Sequence, residues 1–121
     1  MTEAREKLAA GRALLSSEFP GQAVVFAYYA MLYAARAALS ESDRSAKTHR
    51  GVWNLFQQSY VDAGRFDQEL LREARASQRA REATDYDAGH FSTEEATRLM
   101  ELSERFVRAV EEMLAEDPPN T

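Results

Sequence analysis

Cysteine is missing from all 121 residues. Disulfides, thiolate metal ligands and a thiol nucleophile are therefore excluded together. Histidine occurs only twice, too few to build a convincing zinc site, and "DYDAGH" lacks the spacing and terminal glutamate of a calcium loop. Proline stands only at Pro20 and in the tail pair Pro118–Pro119. No Val/Ile/Thr stretch alternates with polar residues, so strands are not expected. Nor is there a serine–histidine–acid array, a phosphate loop or a dinucleotide fingerprint, and no cofactor is expected. The most apolar run, "AVVFAYYAMLYAA" (Ala23–Ala35), is shorter than the roughly 20 residues a spanning helix requires. It reads as the buried centre of a bundle. "MTEAREKLAAGRALL" is charged and helical in pattern, unlike a secretory leader. The expectation is a cytoplasmic chain with no membrane segment.

What is present is helical periodicity, and a length that suits one domain with its own core. A first helix is predicted from Thr2, as N-cap, to about Ser16. The apolar helix should open at Pro20, which suits a first helical turn, and end near Ser40. After the polar loop "SESDRSAKT", Thr48 can cap a third helix from His49 to about Ala63, closed by Gly64. Asp67 can cap a fourth helix reaching about Thr84. Ser92 and Glu95 form a capping box for a fifth, ending near Ala115. Five helices with mostly short connections predict an all-α, up-and-down bundle of four to five antiparallel helices over residues 1–116, with 117–121 a disordered tail.

The formal net charge of −5 is unevenly spread. Residues 36–81 carry nine Lys/Arg against six Asp/Glu, and residues 82–121 carry three against eleven. That excludes a globally basic nucleic-acid binder and leaves room for a local cationic surface. It also suits self-association or contact with a partner of opposite charge.

Helical geometry selects among the polar residues. With Leu70 as the inward direction, Ala74 lies about 40° away, Arg81 about 20° and Arg79 about 180°. Of the four arginines on the fourth helix, only Arg81 is aimed at the bundle. A buried guanidinium needs a partner, and Asp85 and Asp87 are within reach. Arg81 is therefore either a staple at the helix end or a cation presented in a cleft. His49 shares the face of Val52, Trp53, Phe56 and Tyr60, in a first turn whose dipole disfavours an imidazolium. It reads as a hydrogen-bonded histidine at the edge of the core, or as a wall of the same cleft. Arg72, Arg75 and Arg79 form a basic ridge, which is either a solvated face or a phosphate contact.

Three stretches, "AYYAMLYAARAAL", "KTHRGVWNLFQQSYVDAG" and "REATDYD", followed by an acidic amphipathic helix, resemble in order and spacing a small prokaryotic branch of the HEPN domain family. The resemblance covers roughly residues 4–114. It implies a bundle of four or five helices that dimerises, often encoded beside a minimal nucleotidyltransferase as a toxin–antitoxin pair. It also implies a metal-independent ribonuclease site at the dimer interface, with the signature R-x-x-x-x-H and four to six residues between the pair. The arginine falls on Arg81. Five positions on stands Tyr86, then Asp87 and Ala88, while His90 is nine positions away. A literal match, "RSAKTH", runs from Arg44 to His49. The resemblance thus nominates Arg81, Asp85, Tyr86, His49 and His90 as catalytic candidates, with Tyr86 also a candidate for adenylylation by the nucleotidyltransferase. The alternative is a non-catalytic module that binds a nucleotide or scaffolds its partner.

Overall fold

The apolar run in the first third of the sequence becomes the axis around which the other helices pack. In the computed structural model, which describes residues 1–116, five α-helices follow one another without a strand among those residues. They are α1 (Thr2–Ser16), α2 (Pro20–Glu41), α3 (His49–Phe56), α4 (Gln68–Asp87) and α5 (Thr93–Ala115). The fold is the expected all-α bundle. By length and composition α2 could cross a membrane. Here its alanines and larger side chains, among them Ala27, Ala30, Met31, Ala34, Ala35 and Leu39, are buried against α1, α3, α4 and α5. Small residues allow close approach of helices on several sides, which is why α2 looks apolar all round.

Most helix ends obey their capping chemistry. Pro20 opens α2, the Thr48 hydroxyl accepts from the Gly51 amide at 2.9 Å, and the Asp67 carboxylate accepts from Leu70 at 2.8 Å. Both halves of the Ser92–Glu95 capping box form, and Gly64 adopts a left-handed φ of 76°. Thr2 departs from expectation. Met1 occupies the N-cap and Thr2 is the first helical residue, with no side-chain cap.

The third helix is not uniform. After Phe56 it widens into a π-helical turn, Gln57–Val61, closed by a bond from the Asp62 amide to the Gln57 carbonyl at 2.9 Å. Tyr60, in this turn, lies 5.0 Å from Phe56 between ring centres and donates its hydroxyl proton to the Ala38 carbonyl of α2. Ser42 sits 2.9 Å from the same hydroxyl. Phe56, Phe66 and Phe106 complete a dry aromatic cluster, with centroids 4.9 to 5.8 Å apart. Such pairs are worth about 0.5–1.5 kcal/mol each beyond their area burial.

The fourth helix runs three residues further than expected, through Asp87, and ends in a 3₁₀ turn, Ala88–His90. No glycine or proline intervenes before Gly89, and Asp85 lies one turn above Arg81, so nothing local stops the helix at Thr84. Asp85 and Tyr86 therefore stand on a helix and not on a loop. The predicted tail at 117–121 lies outside the described residues.

Candidate active site

Three helices bring a polar cluster together around the start of α3. From α2 come Tyr28, Tyr29 and Arg36, from α3 His49 and Trp53, and from α4 Gln78 and Arg81. The stripe that α4 buries runs through Leu71, Ala74 and Ser77. Arg81 lies seven residues beyond Ala74, about 20° from it around the helix, so it points into the bundle. Leu71, rather than Leu70, is the fully buried member of that first turn, a shift that leaves Arg81 on the inward side.

Tyr28 is the hub. Its buried hydroxyl lies 3.2 Å from His49 Nδ1, accepts from the Trp53 indole N–H at 3.3 Å and donates to Gln78 Oε1 at 3.3 Å. Tyr29 bridges the two residue types that matter most. The Arg81 guanidinium carbon lies 5.4 Å from its ring centre, and the His49 ring meets it edge-on at 6.0 Å. A cation over a tyrosine face is attracted by about 0.5–1 kcal/mol or more. Among the described residues the Arg81 ion pair is a long contact to Asp85, Nη1 to Oδ2 at 3.5 Å, and Asp85 is 61% exposed. The Nε atoms of Arg81 and Arg36 are both buried without a hydrogen-bond partner among the described residues.

The electrostatics follow from this arrangement. Burial pushes the His49 pKa below its ordinary 6.5, and the positive charges of Arg36 and Arg81 push it the same way, with Glu82 opposing. The imidazole is therefore neutral at pH 7, the form that can accept a proton. Burial raises the Tyr28 pKa, only partly offset by the Trp53 hydrogen bond, so its hydroxyl keeps its proton. A neutral base near two guanidinium groups is an arrangement that can deprotonate a hydroxyl while holding an anion.

The remaining candidates lie apart from this cluster. His90 is exposed, packs edge-on against Phe91 at 6.2 Å and acts electrostatically on Glu95 at the start of α5. Tyr86 is 92% exposed. Arg44 turns away from His49 and donates to Ser59 at 2.7 Å, so the literal "RSAKTH" match does not form a pair. Of the basic ridge, Arg72 pairs with Glu69 at 2.7 Å. Arg75 and Arg79 join Arg50, Trp53, Gln78 and Glu82 around a groove of about 300 Å³ beside the cluster. A larger cleft of about 470 Å³ lies between α4 and α5 over Ala76, Ala80, Leu99 and Leu102. It is mostly apolar and carries none of the cluster's residues.

Arg36 and Gln78 were not singled out by sequence as site residues. The signal for Arg36 was its seven-residue spacing from Tyr29, which puts both on one face of α2. For Gln78 it was the i, i+3 relation to Arg81.

The HEPN domain profile matches residues 1–113. The chain belongs to the HEPN domain family. It is similar to UPF0332 protein glr0978 of Gloeobacter violaceus, at 36% identity over 118 residues, which covers 96% of this chain and 94% of that protein. It is also similar to a protein of Methanocaldococcus jannaschii named "Putative toxin MJ0605", at 30% identity over 113 residues, 93% of this chain and 84% of the other. As a HEPN domain, this chain has Arg81 and no histidine four to seven positions after it. The imidazole that shares an aromatic neighbour with Arg81 comes instead from α3.

Proposed function

We propose that this HEPN protein is the toxin component of a prokaryotic toxin–antitoxin module, cleaving RNA without a metal ion and held in check by a minimal nucleotidyltransferase. The observation that carries the reading is the placement of both His49 and Arg81 against the Tyr29 ring, with the Arg81 Nε buried and without a partner among the described residues. Sequence similarity to the relative named "Putative toxin MJ0605" supports the biological half of it.

In this reading His49 takes the proton of an RNA 2′-hydroxyl. The 2′-oxygen attacks the adjacent phosphorus, the bond to the next nucleotide's 5′-oxygen breaks, and a 2′,3′-cyclic phosphate results. The leaving 5′-oxygen recovers a proton from the imidazolium. Arg81, assisted by Arg36, holds the negative charge that grows on the phosphate oxygens. Arg50, Arg75 and Arg79 extend the cationic surface along the RNA backbone. The protein acts in the cytoplasm as a homodimer, and Tyr86, projecting from the last turn of α4, is the site of adenylylation.

The test is cleavage of total RNA by the purified protein with chelator present, comparing wild type with Arg81→Ala and His49→Gln. Each variant should lose about 10²-fold or more in rate while remaining folded. If the wild type leaves RNA intact, the nuclease reading fails and the non-catalytic reading takes its place. That second reading, a nucleotide-binding or scaffolding module, is favoured by the missing histidine after Arg81. A co-expressed nucleotidyltransferase should add mass to the wild type and none to Tyr86→Phe.

A further inference from the structure

A tyrosine hydroxyl has one proton to give and two lone pairs to offer. At Tyr28 all three are spoken for by different side chains, and the identities of two fix the third. The Trp53 indole N–H can only donate, so at 3.3 Å it occupies one lone pair. Gln78 presents its carbonyl oxygen at 3.3 Å, which can only accept, so it takes the proton. What remains toward His49 Nδ1 at 3.2 Å is a lone pair, and a lone pair requires a donor.

We infer that Tyr28 and Gln78 are positioning residues that hold His49 in its Nδ1–H tautomer, leaving Nε2 unprotonated and free to accept a proton from a ribose hydroxyl. Sending the Tyr28 proton to His49 instead would set the Gln78 oxygen against an oxygen lone pair at 3.3 Å. That arrangement sets two acceptors against each other and forfeits a hydrogen bond inside the cluster. Which nitrogen of a histidine carries the proton is set by the partner of the other. Here that partner is itself set by an amide 50 residues along the chain. Tyr28 is 1% exposed, so water does not compete for the hub. The lowered pKa of His49 keeps the ring neutral at pH 7, so one tautomer or the other is present there.

The inference rests on the reading of His49 as a general base, and its test is independent of that reading because it needs no RNA. Two-bond proton–nitrogen correlation spectra of the ¹⁵N-labelled full chain distinguish the two tautomers. The chain has only two histidines, and exposed His90 serves as the reference for an imidazole in water, which favours the proton on Nε2. At a pH above the ordinary 6.5, wild-type His49 should show a protonated Nδ1 and a bare Nε2. Gln78→Glu, which can still only accept when ionised, should keep that pattern. Tyr28→Phe and Gln78→Met should shift it toward the His90 pattern, and Gln78→Met should lower kcat roughly tenfold to a hundredfold with KM unchanged. Should Tyr28→Phe fail to fold, the Gln78 pair decides alone. A wild-type His49 with its proton on Nε2 would overturn the inference, since that is the tautomer the opposite orientation of the Gln78 amide requires. An unchanged pattern in Gln78→Met would overturn it as well. A protonated Nδ1 in a protein that leaves RNA intact would keep the tautomer assignment and remove the nuclease reading.

Discussion

The two ends of α3 have equally dense aromatic surroundings and opposite polar chemistry. At the Phe56 end, rings meet rings, and the tyrosine hydroxyl, that of Tyr60, is satisfied by the Ala38 carbonyl and the Ser42 hydroxyl. At the His49 end, rings meet an imidazole and the Arg81 guanidinium, and the buried Nε donors of Arg36 and Arg81 have no partner among the described residues. A buried donor left unsatisfied costs about 1–3 kcal/mol. Trp53 stands between the two, edge-on to Phe106 at 6.0 Å on one side and to Tyr28 at 6.2 Å on the other. One helix thus joins a region arranged for cohesion to a region whose polar groups await something from outside. The cost carried by the second is tolerable because the first is so well packed.

The contrast can be broken most forcefully at its packed end. Phe106→Ala removes a fully buried ring that touches Trp53, Phe56 and Phe66, and should lower unfolding free energy by about 3–5 kcal/mol in a denaturant titration. Arg81→Met should act differently. It keeps the stem packing, loses the attraction to Tyr29 and also removes an unpartnered donor, so stability should change by less than about 1 kcal/mol. A loss as large as that of Phe106→Ala would mean that Arg81 is a structural staple after all.

The smallest effect separates the two regions by pH. The folded-state pKa of His49 lies below its ordinary 6.5, so the unfolded chain binds a proton first as pH falls. Stability is fully present above about pH 6.5 and declines as pH drops through the interval below it. Glu95, drawn below its ordinary 4.5 by the hydrogen bonds from Ser92, contributes stability that is lost only at lower pH. His49→Gln should abolish the upper decline and leave the lower one. Arg36, Arg81, Glu82 and Tyr28 are the charged or titratable groups that set the first window, and Phe106→Ala should not move it.

Capping chemistry was readable in the sequence because it is local. Thr48, Asp67, Gly64, Ser92 and Glu95 each act within a few residues, and each does what its type and position imply. Thr2 misled because a threonine near a chain start can as readily be the first helical residue as its cap. The end of α4 was misplaced because its apolar pattern fades before its hydrogen bonding does, a common difficulty at polar helix ends. Arg81 was legible for a rigid-rod reason: a residue seven beyond a buried alanine must face nearly the same way. The Tyr28 hub was not, since it needs Tyr28, His49, Trp53 and Gln78 from three helices, and no spacing along one helix reveals their meeting. The widened turn at Gln57–Val61 likewise carries Tyr60 across to the Ala38 carbonyl of α2, and periodicity along one segment carries no trace of that contact.

Trp53 is the chain's single tryptophan, and its indole N–H points at the oxygen on which the polar cluster converges. Nature has in effect wired a lamp to the junction. Its ultraviolet emission will register any change in the Tyr28 hydroxyl, whether from a ligand, a titrating neighbour or a substituted Gln78, with no label attached. Because the same ring is wedged against Phe106, unfolding will register too, as a much larger spectral change. One optical channel therefore watches both ends of α3, and a small, saturable signal on an intact fold would be the light of an occupied site.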